Sequence, residues 1–160
     1  MVENELVKAL MECIEEAVKD YRLPVKNGVE RAPRVINGYL PPKRTKRDED
    51  DFPFIVVRAE GGTCNSESTE TQVSIIIGCY SQEVVGHEYC INVMTRIKEA
   101  ITSLPNGTLA KRYVLEYPIT WDMVADQPYP QWQLDMSTKW LFQTPIVQFG
   151  YLDPNEEEVK

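Results

Sequence analysis

The chain has 160 residues and a formal net charge of −8, from 17 lysines and arginines set against 25 aspartates and glutamates. A chain of this length buries most of the apolar surface its unfolded form exposes, so one domain without disulfide or metal staples is expected. The acidity argues against a nucleic-acid binder, which displaces counterions with a basic face, and no run of apolar residues approaches the ~20 needed to cross a membrane.

The opening residues MVENELVKAL carry two acids in the first five and do not read as a secretory signal, which points to assembly in a cytoplasm. Over residues 4 to 21, Leu6, Leu10, Ile14, Ala17 and Tyr21 recur at helical spacing, flanked by Val7, Met11 and Val18. One broad apolar stripe results, and the spacing predicts an amphipathic helix ended by Pro24. Val35 to Leu40 reads as extended before Pro41-Pro42 turns the chain out of any ladder. A basic block, Lys43-Arg44-Thr45-Lys46-Arg47, then abuts an acidic one, Asp48-Glu49-Asp50-Asp51. With no apolar area to bury, the segment 43–51 is expected to be an exposed, mobile loop.

Phe54 to Val57 and Val73 to Tyr80 have strand patterns, the first a continuous apolar run and the second alternating Val73, Ile75, Ile77 and Cys79 on one face. The Gly, Ser, Thr and Glu residues from Glu60 to Glu70 predict a long hairpin with a flexible tip. Tyr89, Val93, Ile97, Ile101 and Leu104 mark a second amphipathic helix near 84–104, stopped by Pro105-Asn106-Gly107. Tyr113 to Tyr117 reads as a strand, Pro118 to Pro130 as a proline- and aromatic-rich connection, and Trp132 to Phe142 as a half-buried antiparallel strand. The fold class expected is α+β, a mainly antiparallel β-sheet with two amphipathic helices packed on one face. It occupies residues 1–150 as a single domain, followed by an acidic flexible tail at 151–160.

Catalytic side chains are scarce. There is one histidine, His87, and no phosphate-binding glycine loop, nucleophile elbow or paired metal-ligand motif. Cys79, His87 and Cys90 fall close together, but their spacing fits no zinc finger; core cysteines and a surface histidine are expected. The four cysteines, Cys13, Cys64, Cys79 and Cys90, are expected to be reduced thiols acting as small core residues. The acids Asp122 and Asp126, and Glu67 and Glu70, read as solvated loop residues rather than acid–base pairs. Neither a cofactor nor a metal is therefore expected. Aromatic area concentrates in Trp121, Tyr129, Trp132 and Trp140; the last two share the inward face of one strand, which leaves Trp121 and Tyr129 as interface candidates. Lys43, Arg44, Lys46, Arg47, Asp48 and Asp50 are the charged interface candidates, because opposite charges suit a head-to-tail contact between identical subunits.

The succession of an N-terminal helix, a PFIVV strand, a SIIIGCY strand, an amphipathic helix and a closing YPQWQLDMSTKWLF strand resembles the tail terminator and minor tail proteins of long-tailed bacteriophages. The resemblance implies a virion protein of the tail that does no catalysis. Its subunits would form a ring, typically a hexamer, that caps the tail tube, stops its polymerisation and offers a surface for head joining. The implied partners are other copies of the chain, the tail-tube protein and a head-completion protein, with no nucleic acid and no membrane. The charged block at 43–51 and the acidic C-terminus depart from that pattern. A head-completion or neck protein shares the ring logic; a small hydrolase using Asp122 or His87, or an adaptor outside any particle, belongs to a different class.

Overall fold

The computed structural model describes residues 2–42 and 51–145. The described residues form an α+β sandwich of one six-stranded sheet with two helices on one face. Helix α1 (Val2–Val18) leads to strand β1 (Arg34–Asn37), and the long strands β2 (Phe54–Cys64) and β3 (Ser68–Tyr80) follow. Helix α2 (His87–Thr102) then precedes β4 (Thr108–Leu109), β5 (Tyr113–Met123) and β6 (Gln131–Gln143). The strand order is β1-β2-β3-β6-β5-β4. All neighbours are antiparallel except β1 and β2, which run parallel.

Both amphipathic stripes do what their spacing requires. Leu6, Leu10, Ile14 and Val18 of α1, and Cys90, Val93, Ile97 and Ile101 of α2, lie in one core with Ile55, Val57, Ile75, Ile77, Leu134, Met136 and Trp140 of the sheet. Glu3 and Glu5 occupy the first turn of α1, where the helix dipole favours negative charge. Helix α1 packs over β1 and β2, and α2 over β3 and β6. Trp140 is fully buried, and its indole Nε1 donates to Thr138 Oγ1 at 2.9 Å, so the largest core side chain has no unpaired polar atom.

Several boundaries differ from the sequence reading, each for a local reason. Helix α1 ends at Val18, before Tyr21: the Tyr21 amide turns back to Val18 O, and its ring lies under the Arg96 guanidinium, 4.4 Å from the ring centroid. The predicted 60–70 hairpin loop is mostly strand. Pairing of Gly61 to Cys64 with Thr69 to Gln72 extends both strands and shrinks the tip to Asn65–Glu67. Strand β5 does not stop at Tyr117. It passes through Pro118 in a bulge between Glu116 and Thr120 and re-pairs with β6 from Thr120 to Met123. A bulge is where a strand tolerates a residue that lacks an amide donor.

Asp51, read as part of the exposed charged loop, is half-buried, with Arg34 Nη2 3.1 Å from its Oδ1. Arg31 Nη2 also donates to the Phe52 carbonyl at 2.7 Å. Beside it the face turned away from the helices is packed locally: Phe52 and Phe54 meet edge-on at 4.8 Å, directly over Gly78, where an added Cβ would overlap the Phe54 ring. In the stop after α2, Asn106 and Gly107 take positive φ, 56° and 69°.

Candidate functional site

Of the sequence-derived interface candidates, Lys43, Arg44, Lys46, Arg47, Asp48 and Asp50 lie outside the described residues, as does the segment 151–160. Trp121 and Tyr129 are described, and they do not form one patch resting on one connection. Trp121 belongs to β5, opposite Met136 of β6, on the face that carries the helices. The helices pack mainly over β1, β2, β3 and β6, and the Trp121 indole stays 41% exposed. Tyr117, on the bulge of the same strand, is 68% exposed, while Ile119 and Met123 sink partly into the core edge.

Strand β4 pairs only with Tyr113 and Val114. From Leu115 to Met123 the outer side of β5 therefore has no partner strand among the described residues. An unpaired strand edge exposes backbone donors and acceptors, and here a bulge and a proline interrupt the row. The edge thus presents Tyr117 and Trp121 as side chains more than it presents a continuous ladder. Tyr117 is not among the sequence candidates, because its signal, an aromatic beside a proline at the end of an alternating run, is also that of a strand terminus.

Tyr129 is 60% exposed, yet it works inside the fold. Its hydroxyl donates to Gln82 O at 2.7 Å, and its ring meets Trp132 edge-on at 6.1 Å. Trp132 Nε1 donates to Ser81 O at 3.0 Å, and Gly86 sits so close to that indole that a Cβ would collide with it. Gln127 completes the turn, accepting from Gln133 N at 2.7 Å and donating to Gln133 O at 3.0 Å. These bonds hold the 124–130 turn against the 81–86 loop, whose Val84 is 90% exposed and Val85 half-exposed.

The remaining candidates separate cleanly. Cys79 and Cys90 are buried, whereas Cys64 is exposed, against the expectation that it would be a core residue. The hydrogen-bonded Cys90 thiol, then burial, pushes the Cys79 thiol far up, away from the thiolate a nucleophile needs. His87 lies against the Trp132 ring, 5.9 Å between centroids. Among the described residues no group of three or more His, Cys, Asp or Glu side chains is arranged to hold a metal ion. No helix among them is long and apolar enough to cross a membrane.

Acids meet where the sequence could not place them. Asp122 stands directly across from Asp135 of β6, not beside Asp126 in a loop. Glu70 and Glu116 extend from β3 and β5 over the same face of β6; burial first, and then the Glu70 carboxyl, raises the Glu116 carboxyl above its usual range. No protein-family model matches the sequence, and no curated protein matches it closely enough to count as a relative.

Proposed function

We propose that this chain is a virion assembly protein that associates with copies of itself into a ring at the end of a phage tail tube, where it stops tube growth and provides the surface to which the head joins. The observation that supports this reading best is the outer edge of β5, unpaired from Leu115 to Met123 among the described residues and carrying exposed Tyr117 and Trp121. Aromatic side chains on an uncovered edge suit a contact between different surfaces of identical subunits, the kind that closes rings. The bulge at Pro118 directs that contact to side chains rather than to ladder extension, which would favour open fibres.

In this reading Trp121 is a central anchor. Lys43, Arg44, Lys46 and Arg47, with Asp48 and Asp50, form a charged rim that guides neighbouring subunits together. Tyr129 supports the surface from inside the fold. The chain performs no reaction and needs no cofactor. The tail-tube protein and a head-completion protein are its partners, and its place is the virion tail, reached by assembly in the host cytoplasm.

Removing the chain from the virus tests this reading. The expected result is tails of uncontrolled length that fail to join heads, seen by electron microscopy of lysates; tails of normal length joined to heads would overturn it.

A further inference from the structure

The chain has a net charge of −8, yet one corner of the described fold is basic. Lys111 and Arg112 stand together in the turn between β4 and β5, and with Gln143, Thr144 and Pro145 they line an open hollow of about 390 Å³. Arg112 is partly engaged, its Nη1 3.6 Å from the Glu5 carboxylate and its guanidinium 5.6 Å from the centre of the Tyr113 ring. Lys111 is exposed and forms no ion pair with an acid among the described residues. The corner therefore holds one more cation than its own surroundings neutralise.

The backbone here is held in a conformation that its residues do not favour. The Arg112 amide closes the turn on the Leu109 carbonyl at 3.1 Å, and both residues between them take positive φ, 51° at Ala110 and 59° at Lys111. Turns of this kind favour Asn-Gly, because glycine meets no Cβ penalty there. A lysine at the glycine position costs stability, and such strain clusters where the strained residue serves binding. The feature gained at this position is an ammonium on the wall of the hollow.

The exit of β6 points to the occupant. Thr144 is fixed there: its amide donates to Glu67 O at 3.0 Å, its hydroxyl donates to Asn65 O at 2.7 Å and lies 2.9 Å from the Thr69 hydroxyl. Pro145 follows on the wall of the same hollow. The sequence then runs on to Asp153, Glu156, Glu157 and Glu158, with Lys160 the only cation past Pro145. Asp153 stands eight positions beyond Pro145. That tether spans at most roughly 28 Å, and a link so short holds the acids near the hollow at an effective concentration on the order of millimolar.

We propose that the acidic segment 153–158 binds the basic hollow at Lys111 and Arg112 of its own chain, beside the end of β5 that β4 covers. The contact sets charge against charge in an exposed place, so it is weak, sensitive to salt and open to displacement by another acidic surface. This inference rests on charge, tether length and the anchoring of Thr144, and stands apart from the ring reading.

The test is NMR on the full chain, comparing backbone shifts at 109–112, 143–145 and 153–158 between the unaltered protein and three variants. Asp153→Asn together with Glu156→Gln, Glu157→Gln and Glu158→Gln should move the signals of the hollow and leave those of core residues such as Ile75 and Leu134 in place. The difference should shrink severalfold between about 10 mM and about 1 M salt, as the screening length falls from about 30 Å to about 3 Å. Ala110→Asn with Lys111→Gly gives the turn the residues it favours while removing the ammonium, so the fold is kept; the 153–158 signals should move toward their high-salt positions. Reversing Lys43, Arg44, Lys46 and Arg47 to glutamate should leave both sets of signals in place, and dilution should change neither. Signals of the hollow that ignore the neutralised segment overturn the proposal. So do 153–158 signals that answer to residues 43–47 instead of Lys111, and so does a contact that grows with protein concentration, which would assign the acids to a neighbouring copy.

Discussion

Val73, Ile75 and Ile77 turn toward the helices and are out of solvent, whereas Gln72, Ser74 and Ile76, each one residue away on the same strand, turn to the other face and are not. Strand β6 repeats the contrast, with Leu134, Met136 and Trp140 against Asp135, Ser137 and Lys139. The covered face draws its stability from apolar area removed from water, which is non-directional and tolerant of sequence changes that conserve volume. The bare face has a much smaller reserve, the buried Phe54 and Val56 of β2. What it carries is specific: the Phe52–Phe54 lid over Gly78, the Asp122–Asp135 cross-strand pair and the half-buried Glu116 opposite Lys139. The comparison teaches that the fold is secured mainly from one side, which leaves much of the other face and the β5 edge free to carry interactions.

The largest effect should come from the covered face. Trp140→Ala removes its bulkiest side chain together with the bond to Thr138, and should cost about 3–5 kcal/mol in chemical denaturation. A loss below about 1 kcal/mol would mean the sheet and helices are not packed as described. Next comes Gly78→Ala on the opposite face, where the added methyl must displace the Phe54 ring; the expected cost is about 1–3 kcal/mol. If that substitution is neutral, the aromatic lid is absent and the face is bare throughout.

The smallest stability effect is expected at the proposed interface. Reversing Lys43, Arg44, Lys46 and Arg47 to glutamate, or replacing the exposed Trp121 by alanine, should shift stability by no more than roughly 0.5 kcal/mol, as for surface substitutions generally. Self-association, followed by light scattering against concentration, should weaken in both. The reversal should also abolish its salt dependence. Unchanged association in both variants would remove these residues from the interface.

Much of the fold was legible because two periods dominate it. The 3.6-residue stripes of α1 and α2 and the two-residue alternation of β3 and β6 are each carried by bulky apolar residues that have one stable place to go. The parts that were not legible depend on partners. The Gly61–Cys64 stretch looks like a loop because its residues are small and polar; it is a strand only because Thr69 to Gln72 lie beside it. Pro118 looks like a stop, and the bulge that accommodates it is defined by the pairing of Thr120 with Ser137. The parallel pairing of β1 with β2 leaves no trace in either segment alone. The interface candidates divide in the same way. Exposed aromatics could be named from composition, but whether one is free, like Trp121, or tied down, like Tyr129 through Gln82, depends on contacts remote in sequence.

The ring is tested most directly by the mass of the particle the chain forms, measured by sedimentation on the purified protein alone at high concentration and again after mixing with open tail tubes. The account predicts a single closed oligomer of defined size, free or captured on tube ends, and loss of that species in Trp121→Ala while the variant stays folded. A chain that sediments as a monomer in both conditions and leaves the tubes unoccupied would contradict it.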